Sequence, residues 1–261
     1  MNGFFSYSLE DFKEIICYPL RFFDERCFRR LEDLRSSGVE EVLEYGDSML
    51  LGRRVLGKGF SSVVVLGRHS RYGISAIKIR RFDSKRDSLE NEARLLMRVS
   101  ETGFAPRVYH YSRDFIIREF IEGPRLGDFI DSISGDSISL TRLTRSLIIS
   151  ANTLDLLSVD LEEISRADKQ IIIRNKDPEK IYYIDLESAR TSSNASNTTR
   201  ILSYIINKRI IRETLGLDVE KIREVYEIAR NYKREKDPWR KRILAIEMID
   251  ILTNQRETSK H

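Results

Sequence analysis

The apolar positions of this chain change period along its length, and the changes mark its organisation. Leu9, Phe12, Ile15 and Ile16 recur at helical spacing behind Ser8, a capping residue type. Residues 24–34 predict a second helix, ended by Ser36-Ser37-Gly38, and a third short helix closes near Gly46. From Met49 the pattern switches. Residues 50–56, 61–66 and 74–79 are rich in Val and Ile and are separated by Gly or polar turns, so they read as three consecutive antiparallel strands. Residues 88–99 form an amphipathic helix with Leu89, Ala93, Leu96 and Met97 on one face. Two further strands, 106–111 and 115–120, flank the turn Ser112-Arg113-Asp114, and Glu122-Gly123-Pro124 reads as a linker.

Helices dominate beyond the linker. Residues 140–157 are apolar enough for a buried helix, and short strands at 170–173 and 181–184 flank Asn175-Lys176-Asp177-Pro178. A polar run at 191–199 reads as a loop whose Ser196-Asn197-Thr198-Thr199 caps the next helix. Helices follow at 201–214, 219–232 and 239–252, and 254–261 is a frayed end. The expected fold class is α+β: a helical extension (1–48), a small lobe of antiparallel strands plus one helix (49–122), and a compact, mostly helical lobe (123–261). A ligand is expected in the cleft between such lobes.

Composition adds bounds. Of 261 residues, 41% are hydrophobic and 33% charged, which predicts a globular chain with a charged surface. The formal net charge of +4 permits a polyanionic partner without demanding one. The run from Lys233 to Arg242, with Trp239 inside it, would suit RNA or a protein, or is a solvated face. Cys17 and Cys27 have no metal-ligand spacing, and two thiols make no disulfide framework, so a reducing cytoplasm is the expected compartment. Three histidines leave little room for a zinc site or a Ser-His-Asp enzyme. No signal peptide or membrane-length apolar stretch is read from the chain, so no membrane partner is expected.

Four elements carry candidate chemistry. Gly57-Lys58-Gly59-Phe60-Ser61-Ser62 lies between two expected strands, where glycines let backbone N–H groups approach phosphate oxygens. Alone, such a G-x-G is an ordinary hairpin turn. Ser75-Ala76-Ile77-Lys78 follows on the next strand and brings an ammonium beside that hairpin. Glu92 on the following helix can hold the lysine by a charge-assisted bond, with Glu90 as the competing carboxylate. Finally, the short strand ending in Ile184 delivers Asp185, with Glu187 two residues on, which suits a magnesium ligand.

With these in order, the chain resembles the protein-kinase-like superfamily. Gly57-x-Gly59-x-x-Ser62-x-Val64 is similar to its glycine-rich loop, and Ala76-Ile77-Lys78 to its V-A-I-K strand. Glu92 stands at the helix glutamate, Arg118-Glu119-Phe120-Ile121-Glu122-Gly123 at the hinge, and Asp185-Leu186-Glu187 at D-F-G. Within the superfamily the chain is most similar to archaeal predicted Ser/Thr kinases related to the RIO and KEOPS-complex kinases, over roughly residues 15–205. The resemblance implies a two-lobed protein-kinase-like fold binding ATP with magnesium, or manganese. Gly57, Lys58, Gly59, Ser61, Ser62, Ala76, Lys78, Glu92, Glu119 and Ile121 would then contact ATP, with Lys78, Asp185 and Glu163 catalytic.

The catalytic loop departs from the family's pattern. In Val159-Asp160-Leu161-Glu162-Glu163, Leu161 replaces the histidine and Glu163 takes the acidic position, while Asp168 falls where the metal-binding asparagine stands. Asp168 and Asp185 are thus the metal candidates and Glu163 the candidate base. Only about 75 residues follow Asp185, and no A-P-E segment is found. The reading is an ATP-dependent phosphotransferase, a RIO-like serine/threonine protein kinase acting on a protein or on itself. Its rivals are a nucleotide-binding pseudokinase, a RIO-type ATPase serving as a ribosome- or RNA-associated switch, and a small-molecule kinase.

Overall fold

The computed structural model describes residues 5–20, 24–162, 164 and 167–254. Glu163, the candidate base, lies outside the described residues, as does the chain end beyond Asn254. The chain is α+β and divides into two compact units, Met1–Met97 with Pro106–Phe120, and Arg98–Ala105 with Ile121–His261.

The first unit contains β1 (Phe5–Tyr7), α1 (Lys13–Ile16), α2 (Glu25–Ser36), β2 (Val39–Glu44), β3 (Ser48–Leu50), β4 (Arg53–Val55), β5 (Gly57–Lys58), β6 (Ser62–His69), β7 (Gly73–Arg80), β8 (Val108–Tyr111) and β9 (Phe115–Glu119). The helix α3 (Glu90–Ser100) begins in it. Seven strands form one sheet in the order β1-β2-β6-β7-β9-β8, with β5 also paired to β6. The third helix expected near Gly46 is instead the strand β2. Val39 and Val42, three residues apart, share the core face because a bulge between Val39 and Glu41 breaks the two-residue alternation against β6, and Leu43 is buried as well. The strand expected at 50–56 is a hairpin, β3–β4, turned at Leu51 and Gly52, both with positive φ, which a two-residue hairpin turn requires.

Alternation gives the sheet two distinct faces. Val63, Val65, Ile77, Ile79, Phe115 and Ile117 face one way and share a core with Leu9, Phe12, Ile15, Ile16, Leu31 and Leu34. The N-terminal helices therefore roof that face. They are pinned by the buried Arg30 of α2, whose guanidinium lies 3.7 Å from the Phe82 ring centroid and donates to the Ile16 carbonyl at 3.1 Å. Burial depresses the Arg30 pKa to about 10. The two cysteines are not free thiols: Cys17 and Cys27 form a disulfide between the end of α1 and the start of α2, with Cα atoms 5.5 Å apart. The expectation of two reduced thiols is thereby corrected. Spacing alone could not reveal the pair, because the contact depends on how the two short helices fold against each other.

The second unit contains α4 (Leu126–Ser132), α5 (Ser137–Leu156), β10 (Val159–Leu161), α6 (Ala167–Gln170), β11 (Ile171–Ile173), β12 (Ile181–Tyr183), β13 (Ala189–Thr191), α7 (Asn197–Asn207), α8 (Arg209–Thr214), α9 (Val219–Arg234) and α10 (Pro238–Thr253). Leu140, Leu143, Leu147, Ile148, Ala151 and Leu154 of α5 are buried; α7 and α10 pack against this helix, and α9 packs on α10 and α7. Two antiparallel hairpins, β10–β13 and β11–β12, complete the unit. The single helix expected at 201–214 breaks at Lys208, whose extended backbone caps α8. The capping expected of Ser196 comes from elsewhere. Asp155 of α5 accepts the N–H groups of Asn197 (2.7 Å) and Thr198 (3.1 Å), and Tyr232 of α9 donates to the same carboxylate at 2.9 Å. The linker at Glu122-Gly123-Pro124 is strapped to β11: Ile173 donates to the Pro124 carbonyl and Asn175 to that of Glu122. Gly123 has φ +154°, and a Cβ there would lie 2.0 Å from the Ile173 carbonyl oxygen. Among the described residues no helix is long and apolar enough to cross a membrane.

Candidate functional site

In the first unit the chemistry collects on the sheet face opposite the roof. Lys78 on β7 pairs in register with Val64 on β6 and Ile116 on β9, and Val64 pairs with Gly57 on β5. Gly57, Val64, Lys78 and Ile116 therefore form one transverse row across four strands. Lys78 Nζ donates to Glu92 Oε1 of α3 at 2.8 Å, and both side chains are almost wholly buried. Glu90, the competing carboxylate, turns to Arg94 at 3.4 Å. Ala76, two residues before Lys78 and on its face, is buried.

The hairpin closes where Gly59 N–H donates to the Ser62 carbonyl at 2.8 Å, leaving Phe60 at the tip 97% exposed. Arg81, just after β7, holds the hairpin: its backbone N–H donates to the Ser61 carbonyl and its guanidinium to the Gly59 carbonyl, both at 2.8 Å. The same guanidinium pairs with Asp83 and holds that carboxyl below its usual range. Ser61 and Ser62 are buried, whereas Lys58 points outward and is exposed. A Cβ on Gly57 would meet nothing within 4 Å, one on Gly59 only the Ser62 carbonyl at 3.7 Å, and neither glycine has positive φ. Neither backbone strain nor internal packing thus requires a glycine at these two positions. At the end of β9, Glu119 donates its N–H to the Arg107 carbonyl at 2.8 Å.

The second unit carries the other candidates. Asp185 follows β12 by two residues; its Oδ1 accepts the Glu187 N–H at 3.2 Å, and both carboxylates are half-buried. Ile184 N–H donates to the Gln170 carbonyl, tying this segment to α6. Two oxygen donors on one short segment suit a hard divalent cation. Ile121, assigned to the hinge, is buried at the start of this unit.

Asp168, the other metal candidate, is already engaged. Tyr204 donates its hydroxyl to Asp168, and Lys208 Nζ lies 3.0 Å from the same carboxylate oxygen. Burial, then the Asp168 hydrogen bond, push the Tyr204 hydroxyl pKa far up, so it stays protonated as a donor. Gly127 of α4 makes room for Asp168, since a Cβ there would sit 3.1 Å from its carboxylate. Asp168, Tyr204, Lys208 and Lys233 line a surface pocket of about 490 Å³. On the candidate catalytic loop, Leu161 is buried, its N–H donated to Asn197 and its carbonyl accepting from Arg200 at 3.0 Å. Arg200 also pairs with the buried Asp160, and Glu162 pairs with Arg190 at 3.1 Å. Sequence reasoning missed Gly127, Tyr204, Lys208 and Asp155. A buried-position aspartate inside the apolar α5 is the one available signal, since such a carboxylate must find donors.

No family model matches the chain. It is 27% identical over 120 residues to the uncharacterized protein MJ1211 of Methanocaldococcus jannaschii, a match that covers 44% of this chain and 98% of that protein.

Proposed function

We propose that the chain binds ATP with magnesium and transfers its γ-phosphoryl group, as a RIO-like serine/threonine protein kinase. The observation that carries this reading is the buried Lys78–Glu92 pair on the face shared with Gly57 and Val64. A buried ion pair is a poor source of stability, because desolvation offsets the attraction and an apolar pair of similar volume serves as well or better. An ammonium held in a fixed direction by a carboxylate is what phosphate recognition needs. The two glycines support the same reading: hairpin positions without Cβ, for which the fold gives no reason, suit backbone N–H groups approached closely by phosphate. Asp185, with Glu187 beside it, is the donor set for magnesium, which when bound would neutralise charge on the β- and γ-phosphoryl oxygens. The chain's own part is to position the phosphates with Lys78 and the hairpin.

A second reading rests on Asp168. Its engagement by Lys208 and Tyr204 leaves it poorly suited to take a metal, which favours a nucleotide-binding protein with little or no transfer. Label transfer from γ-labelled ATP with magnesium or manganese, beside ATP binding by calorimetry, decides between them. Phosphorylation lost in Lys78→Ala and Asp185→Asn supports the kinase. Binding that is lost in Lys78→Ala, with no turnover in wild type, supports the second reading. No ATP binding at all overturns both.

A further inference from the structure

The corner where α9 passes into α10 carries features that a nucleotide-binding role leaves unexplained. Residues 233–242 contain six Lys or Arg and two Asp or Glu, so this one segment holds the whole formal excess of +4 and the rest of the chain is balanced. Many basic residues elsewhere are tied to carboxylates, as Arg80, Arg142, Arg190 and Arg200 are. Lys233, Arg234 and Arg240 are exposed and close no ion pair among the described residues. Lys236 donates to Asn194 at 3.0 Å, and Arg242 lies 5.6 Å from the Trp239 ring centroid. α10 buries Ala245, Met248, Ile249 and Leu252. On its outer side Trp239, Ile243 and Ile246 stand 71%, 54% and 56% exposed. Their spacing places them on one stripe about two turns long.

We infer that this corner is a docking surface for an acidic amphipathic segment of a partner protein. The partner's apolar side chains would cover Trp239, Ile243 and Ile246, and its carboxylates would meet Arg240, Arg242, Lys236 and Lys233. The charge selects an anionic partner. The apolar stripe selects among anions. An exposed Trp alone would suit base stacking, but two isoleucines in line with it gain nothing from a sugar–phosphate backbone. A Trp-centred apolar strip with an arginine rim has the anatomy of a protein interface. The surface needs neither Lys78 nor Asp185, so it stands whether or not the nucleotide reading does.

The test titrates the full chain with a fluorescein-labelled helical peptide of about 18 residues bearing leucines at three- and four-residue spacing and flanking glutamates. A lysine-flanked twin, a dodecamer of oligouridylate and phosphatidylserine vesicles are titrated alongside. The expected result is anisotropy-detected binding of the acidic peptide alone, weakened about tenfold or more by Trp239→Ala and by Ile243→Ser, and by added salt. All positions changed are exposed, and an unaltered thermal midpoint confirms that each variant folds. No peptide binding at low salt, binding unaffected by these variants, or preferential binding of oligouridylate or vesicles would overturn the inference.

Discussion

Lys78 Nζ stands 2.8 Å from Glu92 Oε1 in a site from which water is almost excluded. Removing one partner strands a buried charge, so Lys78→Met or Glu92→Gln is expected to destabilise by about 3–5 kcal/mol. Replacing both, in Lys78→Met/Glu92→Leu, restores an apolar contact. That double variant should recover most of the stability yet bind no ATP. Thermal melts beside ATP calorimetry read the two effects separately. Recovery of binding in the double variant would remove the role assigned to Lys78.

The glycine-rich hairpin gives the opposite separation. Gly57→Ala and Gly59→Ala introduce no close contact and no strained φ, so stability should stay the same or rise by about 0.4–1 kcal/mol through the unfolded chain. ATP affinity should fall, since the added methyl occupies the space in which phosphate would approach. Unchanged affinity in both variants would make the hairpin an ordinary turn.

Asp155 is the centre of the second unit's buried polar network, with Asn197, Thr198 and Tyr232 all donating to it. Asp155→Ala leaves the first turn of α7 without acceptors and should cost about 3–5 kcal/mol, whereas Tyr232→Phe should cost about 1–2 kcal/mol. Denaturant melts followed by circular dichroism check the ranking. Similar losses in both variants would mean that packing of the tyrosine ring, not the carboxylate, holds α7.

The disulfide closes a short loop, ten residues in sequence separation. Cys17→Ser/Cys27→Ser is expected to lower stability by about 2–3 kcal/mol by the loop-entropy relation. Thiol titration of the denatured, unreduced wild type should find no free thiol; two titratable thiols would show that the pair does not form under those conditions.

Acid should loosen the first unit. Glu44 accepts the Arg54 N–H and lies by Arg53, which together hold its carboxyl below the usual carboxylate range; Glu10 and Glu41 are lowered by Arg35 and Arg68. Carboxyls with depressed folded pKa values contribute stability that is complete above their unfolded value and is lost as pH falls through the folded one. The thermal midpoint should therefore be flat from neutral pH down to about 5, then decline below about 4.5. In Glu44→Gln the neutral midpoint drops and the acid decline becomes shallower. An unchanged acid limb would assign the decline to other groups.

How much of this was legible beforehand depends on how local each cause is. The Lys78–Glu92 contact is partly legible from order, because a strand lysine followed by an amphipathic helix leaves few geometries, but Glu90 competes until the helix is placed. The strand β2 looks helical in sequence because its bulge lets Val39 and Val42, three residues apart, share one face while Leu43 is buried too, a spacing that a helix also shows. The partners of Asp168 and Asp155 come from 36 to 77 residues away, and no local pattern encodes such pairings. The disulfide fails for the same reason at shorter range.

The roof over the sheet also sets an order of events as the chain is made. Leu9, Phe12, Ile15 and Ile16 leave the ribosome well before the rest of the core they share, which includes Phe115 and Ile117, about a hundred residues later. Domains assemble as units during synthesis, and contacts of long sequence separation form last. The helices α1 and α2 must therefore wait, with their apolar side chains uncovered, until β9 has emerged. That interval is when this protein is most exposed to aggregation, and slowing translation just before residue 120 would lengthen it.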